Sequence, residues 1–97
     1  MRFYISGPIT GTKGYLKHFG KAEHQLMKDG HEVINPAKNG YVMPATTSHD
    51  EYMKVCIAQL SCCDGILMLK GWKRSEGARE EFCYAVDHKM PIIFEED

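Results

Sequence analysis

The sequence lacks any long hydrophobic run. No stretch of its 97 residues approaches the roughly 20 apolar residues of a membrane-spanning helix. Its first residues, MRFYISG, are typical of a β-strand rather than of a signal peptide. We therefore expect no membrane partner and a cytoplasmic location.

Charge of one sign is also absent. The chain has 12 Lys and Arg residues against 13 Asp and Glu residues, and it shows neither a basic stripe nor an acidic tail. Binding to a nucleic-acid backbone needs clustered Lys and Arg, so a nucleic-acid polymer is not expected as a partner. A small anionic ligand needs only a few local donors and remains compatible with this composition.

Metal-ligand spacing is missing as well. The four cysteines form no C-x-x-C pair, and the five histidines are scattered. The adjacent Cys62 and Cys63 could bridge to each other only with strain. Asn35 stands where a dinucleotide-binding fold would place an acidic residue. The sequence thus predicts reduced thiols, no metal site and no cofactor of the NAD type or any other.

Short apolar segments alternate with amphipathic ones along the whole chain. The predicted strands are residues 2–6, 31–36, 65–69 and 91–94. The predicted helices lie within residues 12–30, after the cap residue Ser48, and from the cap residue Ser75 to about residue 88, with a loop over residues 37–48. The order β-α-β-α-β-α-β predicts an α/β fold with about four mostly parallel strands and helices on both faces. Residues 1–97 are expected to form a single domain.

Ligands of open α/β sheets bind beyond the carboxyl ends of the strands, near the point where the strand order reverses. The loops expected there include GPITGTKG (7–14) and KGWKRSEG (70–77). The first can turn backbone N–H groups toward an anion, or it is simply a strand-to-helix turn that needs positive φ. In the second, Ser75 is a cap that can also bind a phosphate, while Trp72 either stacks on a base or covers the sheet edge.

Glu81 is the residue that the helical pattern singles out. It shares a helix face with Ala78, Phe82 and Ala85. Its neighbour Glu80 lies on a largely polar face. An inward glutamate usually has a partner or a chemical role, because an unpartnered buried carboxylate is costly; the alternative is a boundary residue that reaches solvent. The dipole of the nearby helix start favours the ionised form, which suits a nucleophile.

Four segments carry a resemblance to a known family: YISGPITG, GHEVINPA, CDGILMLKGWKRSEGAREE and KMPIIF. They run in order over essentially the whole chain, which resembles the nucleoside 2-deoxyribosyltransferase-like proteins, in particular the short group called DUF4406. The resemblance implies a Rossmann-like three-layer sandwich and a glutamate nucleophile that attacks C1′ of a deoxyribosyl N-glycoside. It assigns this role to Glu81, in the pattern S-x-G-x-x-x-E, and it implies that Tyr4 contacts the nucleophile. Asp64 matches a family aspartate at the start of the third strand and is predicted to be catalytic.

The resemblance also implies that the glycine-rich loop binds the sugar or a 5′-phosphate, with help from the serine before the third helix. The predicted substrate-binding residues are Gly7, Pro8, Ile9, Thr10, Gly11, Trp72, Ser75 and Gly77. Phosphate-binding relatives can offer a serine and an arginine where this chain has Pro8 and Thr10. A nearby cation could compensate, namely Lys13, Lys73 or Arg74.

The sequence departs from the family at the acid that protonates the leaving base. Many relatives carry an aspartate eight residues before the one at the third strand, and here this position is Cys56. Cys56 is predicted to be a small buried hydrophobe, and a thiol of ordinary pKa is a poor acid. Asp50 or Glu51 could reach from the helix start, although Glu51 is also the expected capping-box partner of Ser48.

Three functions remain open from the sequence, and the third in rank is a plain structural or interaction domain, which leaves the GPITG and KRSEG loops unexplained. The first is an N-glycoside hydrolase or transferase that acts on deoxyribonucleosides or their 5′-monophosphates through Glu81. The alternative, favoured by Cys56, is a catalytically weak protein that senses or sequesters a nucleotide. Either way the expected partner is a small nucleoside or nucleotide. A homodimer or higher homo-oligomer is expected, because so short a chain leaves apolar helix faces under-covered.

Overall fold

The computed structural model describes residues 1–95. Strands and helices alternate in the order β1 (Arg2–Ser6), α1 (Tyr15–Lys28), β2 (Glu32–Ile34), α2 (His49–Ser61), β3 (Gly65–Met68), α3 (Glu76–Asp87) and β4 (Ile92–Phe94). The four strands are parallel and lie in the order β2-β1-β3-β4. The predicted α/β fold is confirmed. In this part of the chain, no helix has the length and apolar character needed to cross a membrane.

The sheet is covered by helices on both faces, as predicted. Alternate side chains of a strand point to opposite faces. On one face the buried residues are Phe3, Ile5 and Leu67 from the strands, Leu69 directly after β3, and Phe19, Ala22 and Leu26 from α1. On the other face they are Tyr4, Ile66 and Met68 from the strands and Met53, Cys56, Leu60, Ala78 and Ala85 from α2 and α3. The even-numbered residues of β1 therefore face α2 and α3.

The prediction of a loop over residues 37–48 is wrong for the first part of this segment. Residues Pro36–Tyr41 form a 3-10 helix. Asn35 caps this helix, because its side chain accepts a hydrogen bond of 3.0 Å from the backbone N–H of Ala37. Proline at the first helical position and an asparagine cap are both helix-start signals. The sequence carried these signals, but the surrounding Gly and Thr residues obscured them.

Two predicted caps fix where the helices around the site begin. Ser48 and Glu51 form the predicted capping box at α2, with hydrogen bonds of 3.1 and 2.8 Å. Ser75 caps α3 by accepting a hydrogen bond of 3.2 Å from the backbone N–H of Ala78. Glu81 consequently lies in the second turn of α3, close to its amino end.

The strand order reverses between β1 and β3. The chain passes from β1 to β2 on one side of the sheet and from β3 to β4 toward the other. In such sheets a crevice opens at the carboxyl ends of the two central strands. Here the crevice lies between the loop that follows β1 and the start of α3.

Candidate active site

Glu81 is buried and held at both carboxylate oxygens. Only 5% of its surface is exposed. The Tyr4 hydroxyl donates a hydrogen bond to Oε2, and Ser6 Oγ donates one to Oε1 at 2.7 Å. Both donors are fully buried on β1. The inward orientation predicted for Glu81 is confirmed, and the alternative of a carboxylate that reaches solvent is wrong.

Burial raises the pKa of Glu81 to about 7. The hydrogen bonds from Ser6 and Tyr4 lower this pKa, since they favour the ionised form, and the charge of Glu80 raises it. The expected effect of the helix dipole, up to about 1 kcal/mol, is smaller than this burial effect. Glu81 therefore gains or loses its proton near neutral pH instead of staying ionised throughout.

Tyr4 remains a hydrogen-bond donor over the whole physiological pH range. Its burial, and next to that the charge of Glu81, raise the pKa of Tyr4 well above its ordinary value. A phenol that keeps its proton can orient the neighbouring carboxylate and stabilise its negative charge. Tyr4 thus has the contact with Glu81 that the resemblance implied.

Ser6 was not among the residues predicted from the sequence. It lies two residues after Tyr4 on β1, so its side chain points to the same face of the sheet. Because alternate residues of a strand point to the same face, a residue two positions after a predicted site residue is a candidate for the same site. A buried serine at the last position of a strand, before a glycine-rich loop, was the available signal.

A cavity of about 60 Å³, here called the inner cavity, lies beside the Glu81 carboxylate. The predicted residues that line it are Tyr4, Gly7, Ile9, Thr10, Ser75, Gly77 and Glu81. Tyr52, Met53 and Cys56 of α2 line it from the opposite side. The nucleophile candidate and the two predicted loops are therefore brought together in one place.

A second, wider cavity of about 630 Å³, here called the outer cavity, shares Thr10, His49, Ser75 and Gly77 with the inner one. Its volume is within the roughly 300–1,000 Å³ of small-molecule sites. The other predicted residues that line it are Pro8 and Gly11. Of the three cations considered from the sequence, Lys13 and Arg74 line this cavity. The third, Lys73, is instead placed with its Nζ 5.9 Å from the centre of the Trp72 ring.

Two positions of the glycine-rich loop after β1 require glycine, one for lack of space and one for its backbone conformation. A Cβ at Gly7 would lie 2.9 Å from Cβ of Leu69, so only glycine fits without a shift. Gly11 has φ of +71°, a conformation that side chains rarely adopt. The predicted positive φ of this loop is confirmed at Gly11. The loop is consequently held against β3, above the inner cavity.

Two predicted residues are placed away from both cavities. Asp64 is exposed at the amino end of β3, and its carboxylate accepts a hydrogen bond of 2.8 Å from the backbone N–H of Arg2. Trp72 stacks on Phe82 with ring centres 4.6 Å apart, and it lies 6.1 Å from the Phe94 ring. Trp72 therefore covers the sheet edge, which was one of its two predicted roles, and neither residue reaches Glu81.

Cys56 lines the inner cavity as a neutral thiol. It is buried, and burial raises the pKa of its thiol, so the group keeps its proton at neutral pH. Asn39 donates a hydrogen bond of 3.8 Å to its sulfur. The acids considered as replacements do not line either cavity, because Glu51 is engaged in the capping box and Asp50 lies on the outer side of α2.

One group of side chains within residues 1–95 brings potential metal-binding atoms together. The nearest such atoms of His49, Glu76 and Glu80 lie within 4.8 Å of one another. All three side chains are exposed, which is common for acidic groups that bind no ion. We assign no metal to them, and the absence of a metal site stays a prediction.

Comparisons with known proteins identify the family and the fold of the chain. The structure is similar to that of a 2-deoxyribosyltransferase from the psychrotolerant bacterium Bacillus psychrosaccharolyticus, with 20% sequence identity and a TM-score of 0.78. The similarity covers 97% of this chain and 71% of that one. A search of curated proteins gave no match. Residues 1–94 match the family described as the domain of unknown function DUF4406, so the resemblance seen in the sequence is confirmed and the chain belongs to that family, with a 2-deoxyribosyltransferase-like fold.

Proposed function

We propose that the protein cleaves the N-glycosidic bond of deoxyribonucleosides or their 5′-monophosphates, with Glu81 as the nucleophile. The observation that carries the proposal is a buried carboxylate whose two oxygens are held by Tyr4 and Ser6 at the wall of a cavity. A structural domain alone has no need of a cavity around such a group. The structural neighbour is described as a 2-deoxyribosyltransferase, which supports the same class of reaction.

In the first step, an ionised Glu81 oxygen forms a bond to C1′ while the bond from C1′ to the base nitrogen breaks. This covalent intermediate divides one difficult displacement into two easier ones. Tyr4 and Ser6 hold the carboxylate in a single orientation, so the attacking oxygen is positioned before the substrate binds. Because the pKa of Glu81 is about 7, about half of the molecules have an ionised nucleophile at that pH.

In the second step, an acceptor takes the sugar from Glu81. Water as the acceptor gives hydrolysis, and a second base gives transfer. In either case the bond between Glu81 and C1′ breaks and the carboxylate is regenerated. A mixture with a second free base distinguishes the two, because only transfer produces a new nucleoside.

The outer cavity is the proposed site of the 5′-substituent. Arg74 and Lys13 supply two positive charges against the one negative charge of Glu76, which also lines this cavity, and the amino end of α3 directs free backbone N–H groups toward it. Ser75 lines both cavities, so it can lie between the sugar and the phosphate. This charge distribution favours the 5′-monophosphate over the neutral nucleoside.

The experiment is to incubate the protein with each deoxynucleoside and each 5′-monophosphate and to measure free base by chromatography. We expect release by the native protein and none by Glu81→Gln. The matched control is Asp87→Asn, since Asp87 is an exposed carboxylate of the same helix that lines neither cavity. Acid quenching during turnover, followed by peptide mass analysis, should find one deoxyribosyl group on Glu81.

Nucleotide that raises the melting temperature without any release of base would contradict the proposal and support the binding alternative. Release that persists in Glu81→Gln would remove Glu81 from the mechanism while leaving the activity.

The protein is also proposed to form a homo-oligomer. Among the described residues, several large apolar side chains are exposed, including Tyr41 at 73% and Val42 at 81%. Burying such side chains between copies would remove apolar surface from water. Light scattering coupled to size-exclusion chromatography measures the mass directly, and a mass of one chain at micromolar concentration would contradict this expectation.

A further inference from the structure

The proposed reaction needs an acid, because a purine or pyrimidine leaves poorly as an anion. Among the described residues, the titratable side chains that line the inner cavity are Tyr4, His49, Tyr52, Cys56 and Glu81. Glu81 is the nucleophile, and the Tyr4 hydroxyl donates a hydrogen bond to Glu81. The Tyr52 hydroxyl donates a hydrogen bond of 3.0 Å to the carbonyl oxygen of Pro36. Three of the five groups are therefore already engaged.

Cys56 does not fill the vacant role. Its burial makes the thiol a weaker acid than a thiol in water, so it would release its proton only reluctantly to a departing base. The remaining group is His49, whose side chain type most often performs general acid catalysis near neutral pH.

His49 is placed where the two cavities meet. It is the first residue of α2 and lines both the inner and the outer cavity. Its Cε1 atom lies 3.9 Å from the position that a Cβ on Gly77 would occupy, which sets the ring against the start of α3. Within residues 1–95 its ring makes no hydrogen bond, so both nitrogens are available to a ligand.

Charged groups of both signs lie around His49. Glu76 and Glu80 on α3 have carboxylate oxygens within 4.8 Å of a ring nitrogen. Arg74 and Lys13 face the same outer cavity from the loops and would lie beside a phosphate. Asp50 follows His49 on α2. A positively charged imidazole would thus have negative charges close to it.

We propose that His49 is the catalytic residue that protonates the leaving base, an inference that rests on the proposed function. As the bond from C1′ to the base nitrogen breaks, its electron pair goes to the base, and the imidazolium of His49 gives a proton to a ring nitrogen of that base. At the same time C1′ becomes bonded to Glu81. In hydrolysis, neutral His49 then takes a proton from the attacking water, which restores both groups.

The test compares two leaving groups. A purine deoxynucleoside 5′-monophosphate needs a proton on its departing base, whereas its N7-methylated form releases a neutral base without one. With His49→Gln we expect base release from the unmodified purine nucleotides to fall by about 100-fold or more, in the range of general acid catalysis. Release from the N7-methylated forms should fall by less than about 5-fold.

His24→Gln is the matched control, because His24 is exposed on α1 and lines neither cavity. His49→Asn serves as a second variant. The melting temperatures of the two His49 variants are measured to test whether they are folded. The control should keep the activity of the native protein on both substrates.

The outcomes separate this inference from the proposed function. An equal loss on both substrates, or a raised KM limited to 5′-monophosphates, would identify His49 as a phosphate ligand and overturn its acid role alone. Base release that is abolished by Glu81→Gln but unchanged by His49→Gln would likewise overturn the inference and keep the proposed function. A native protein that releases no base from any purine or pyrimidine deoxynucleoside or 5′-monophosphate would overturn both.

Discussion

The two carboxylates predicted to be catalytic lie at opposite ends of the same parallel sheet, and their surroundings differ completely. Glu81, at the carboxyl ends of the strands, is buried, receives two side-chain hydrogen bonds and lines a cavity. Asp64, at the amino ends, is exposed and receives a hydrogen bond from the backbone of Arg2. Glu81 lies at the wall of a cavity, whereas Asp64 connects the start of β1 to the start of β3.

The polarity of the parallel sheet explains this difference. All four strands end at one edge, where the loops lead into the amino ends of helices and their free N–H groups. At the other edge the chain returns from helices into strands. A carboxylate at the first edge therefore faces a crevice, whereas one at the second edge finds backbone donors and solvent. The two carboxylates therefore differ in the edge of the sheet at which they lie, Glu81 in a helix at the carboxyl edge and Asp64 before a strand at the amino edge.

The sharpest test of this comparison is base release by Glu81→Gln and Asp64→Asn. Loss of a covalent nucleophile should reduce activity by about 10⁴-fold or more, as for other residues that act directly on the substrate. Asp64→Asn should stay within about 3-fold, since the amide oxygen can still accept the N–H of Arg2. Initial rates at saturating substrate measure both. A large loss in Asp64→Asn would show that the amino edge takes part in the chemistry.

The next largest effect is on stability against pH. The pKa of Glu81 is about 7 in the folded protein against an ordinary value of 4.5. Between these values the folded state binds more protons, so the free energy of unfolding should fall as pH rises from 4.5 to 7. The contribution is fully present below pH 4.5, and the total fall attributable to Glu81 is about 3 kcal/mol.

Urea unfolding at a series of pH values measures this fall in the native protein and in two variants. Glu81→Gln should lack this component, whereas Asp64→Asn should retain it. A component of equal size in Glu81→Gln would assign the titration to another group.

A smaller effect is expected from Tyr4→Phe, which removes the donor to Oε2 of Glu81. A hydrogen bond to a charged group contributes about 1.5–3 kcal/mol, so activity at pH 8 should fall by about 10- to 100-fold. Because this bond favours the ionised carboxylate, its loss should also move the acidic limb of kcat/KM to higher pH. Tyr41→Phe is the control, since Tyr41 is exposed. An unchanged acidic limb would show that Tyr4 does not act through Glu81.

The smallest effect compares two close-packed glycines, one at each edge. A Cβ at Gly7 would lie 2.9 Å from Leu69, and a Cβ at Gly65 would lie 2.7 Å from the Phe3 ring. Each Ala substitution should lower the free energy of unfolding by about 1–2 kcal/mol, as overpacking does. Only Gly7→Ala should also impair base release, because Gly7 lines the inner cavity. Gly40→Ala has open space and serves as the control, and equal activities of all three variants would remove Gly7 from the site.

Local signals in the sequence were sufficient for most of the fold. The alternation of apolar and amphipathic segments predicted the order of the elements, and Ser48 with Glu51 predicted the start of α2. The helical period placed Glu81 on the buried face of α3. These predictions succeeded because each depends on residues a few positions apart. The 3-10 helix at Pro36–Tyr41 was missed, since its two start signals lie in a segment rich in Gly and Thr.

The candidate site was only partly predictable. The helical pattern singled out Glu81, and the resemblance added its role and named Tyr4. Ser6 and His49 were not named, because neither belongs to a quoted motif as a functional residue. Asp64 was predicted to be catalytic from its match to a family aspartate, and its place at the start of β3 puts it at the edge of the sheet opposite Glu81.

The sequence by itself determined the elements, the face of α3 that is buried and the loops that follow the strands, because periodicity and capping are local properties of the chain. Tertiary structure decided which groups meet. The Ser6–Glu81 hydrogen bond joins two residues that are 75 positions apart in the chain, and the Tyr4–Glu81 hydrogen bond joins two that are 77 positions apart. The strand order β2-β1-β3-β4 places β1 beside the crevice, and burial there raises the pKa of Glu81 to about 7. A pKa depends on the solvent and charges around a group in three dimensions, and no local pattern encodes them.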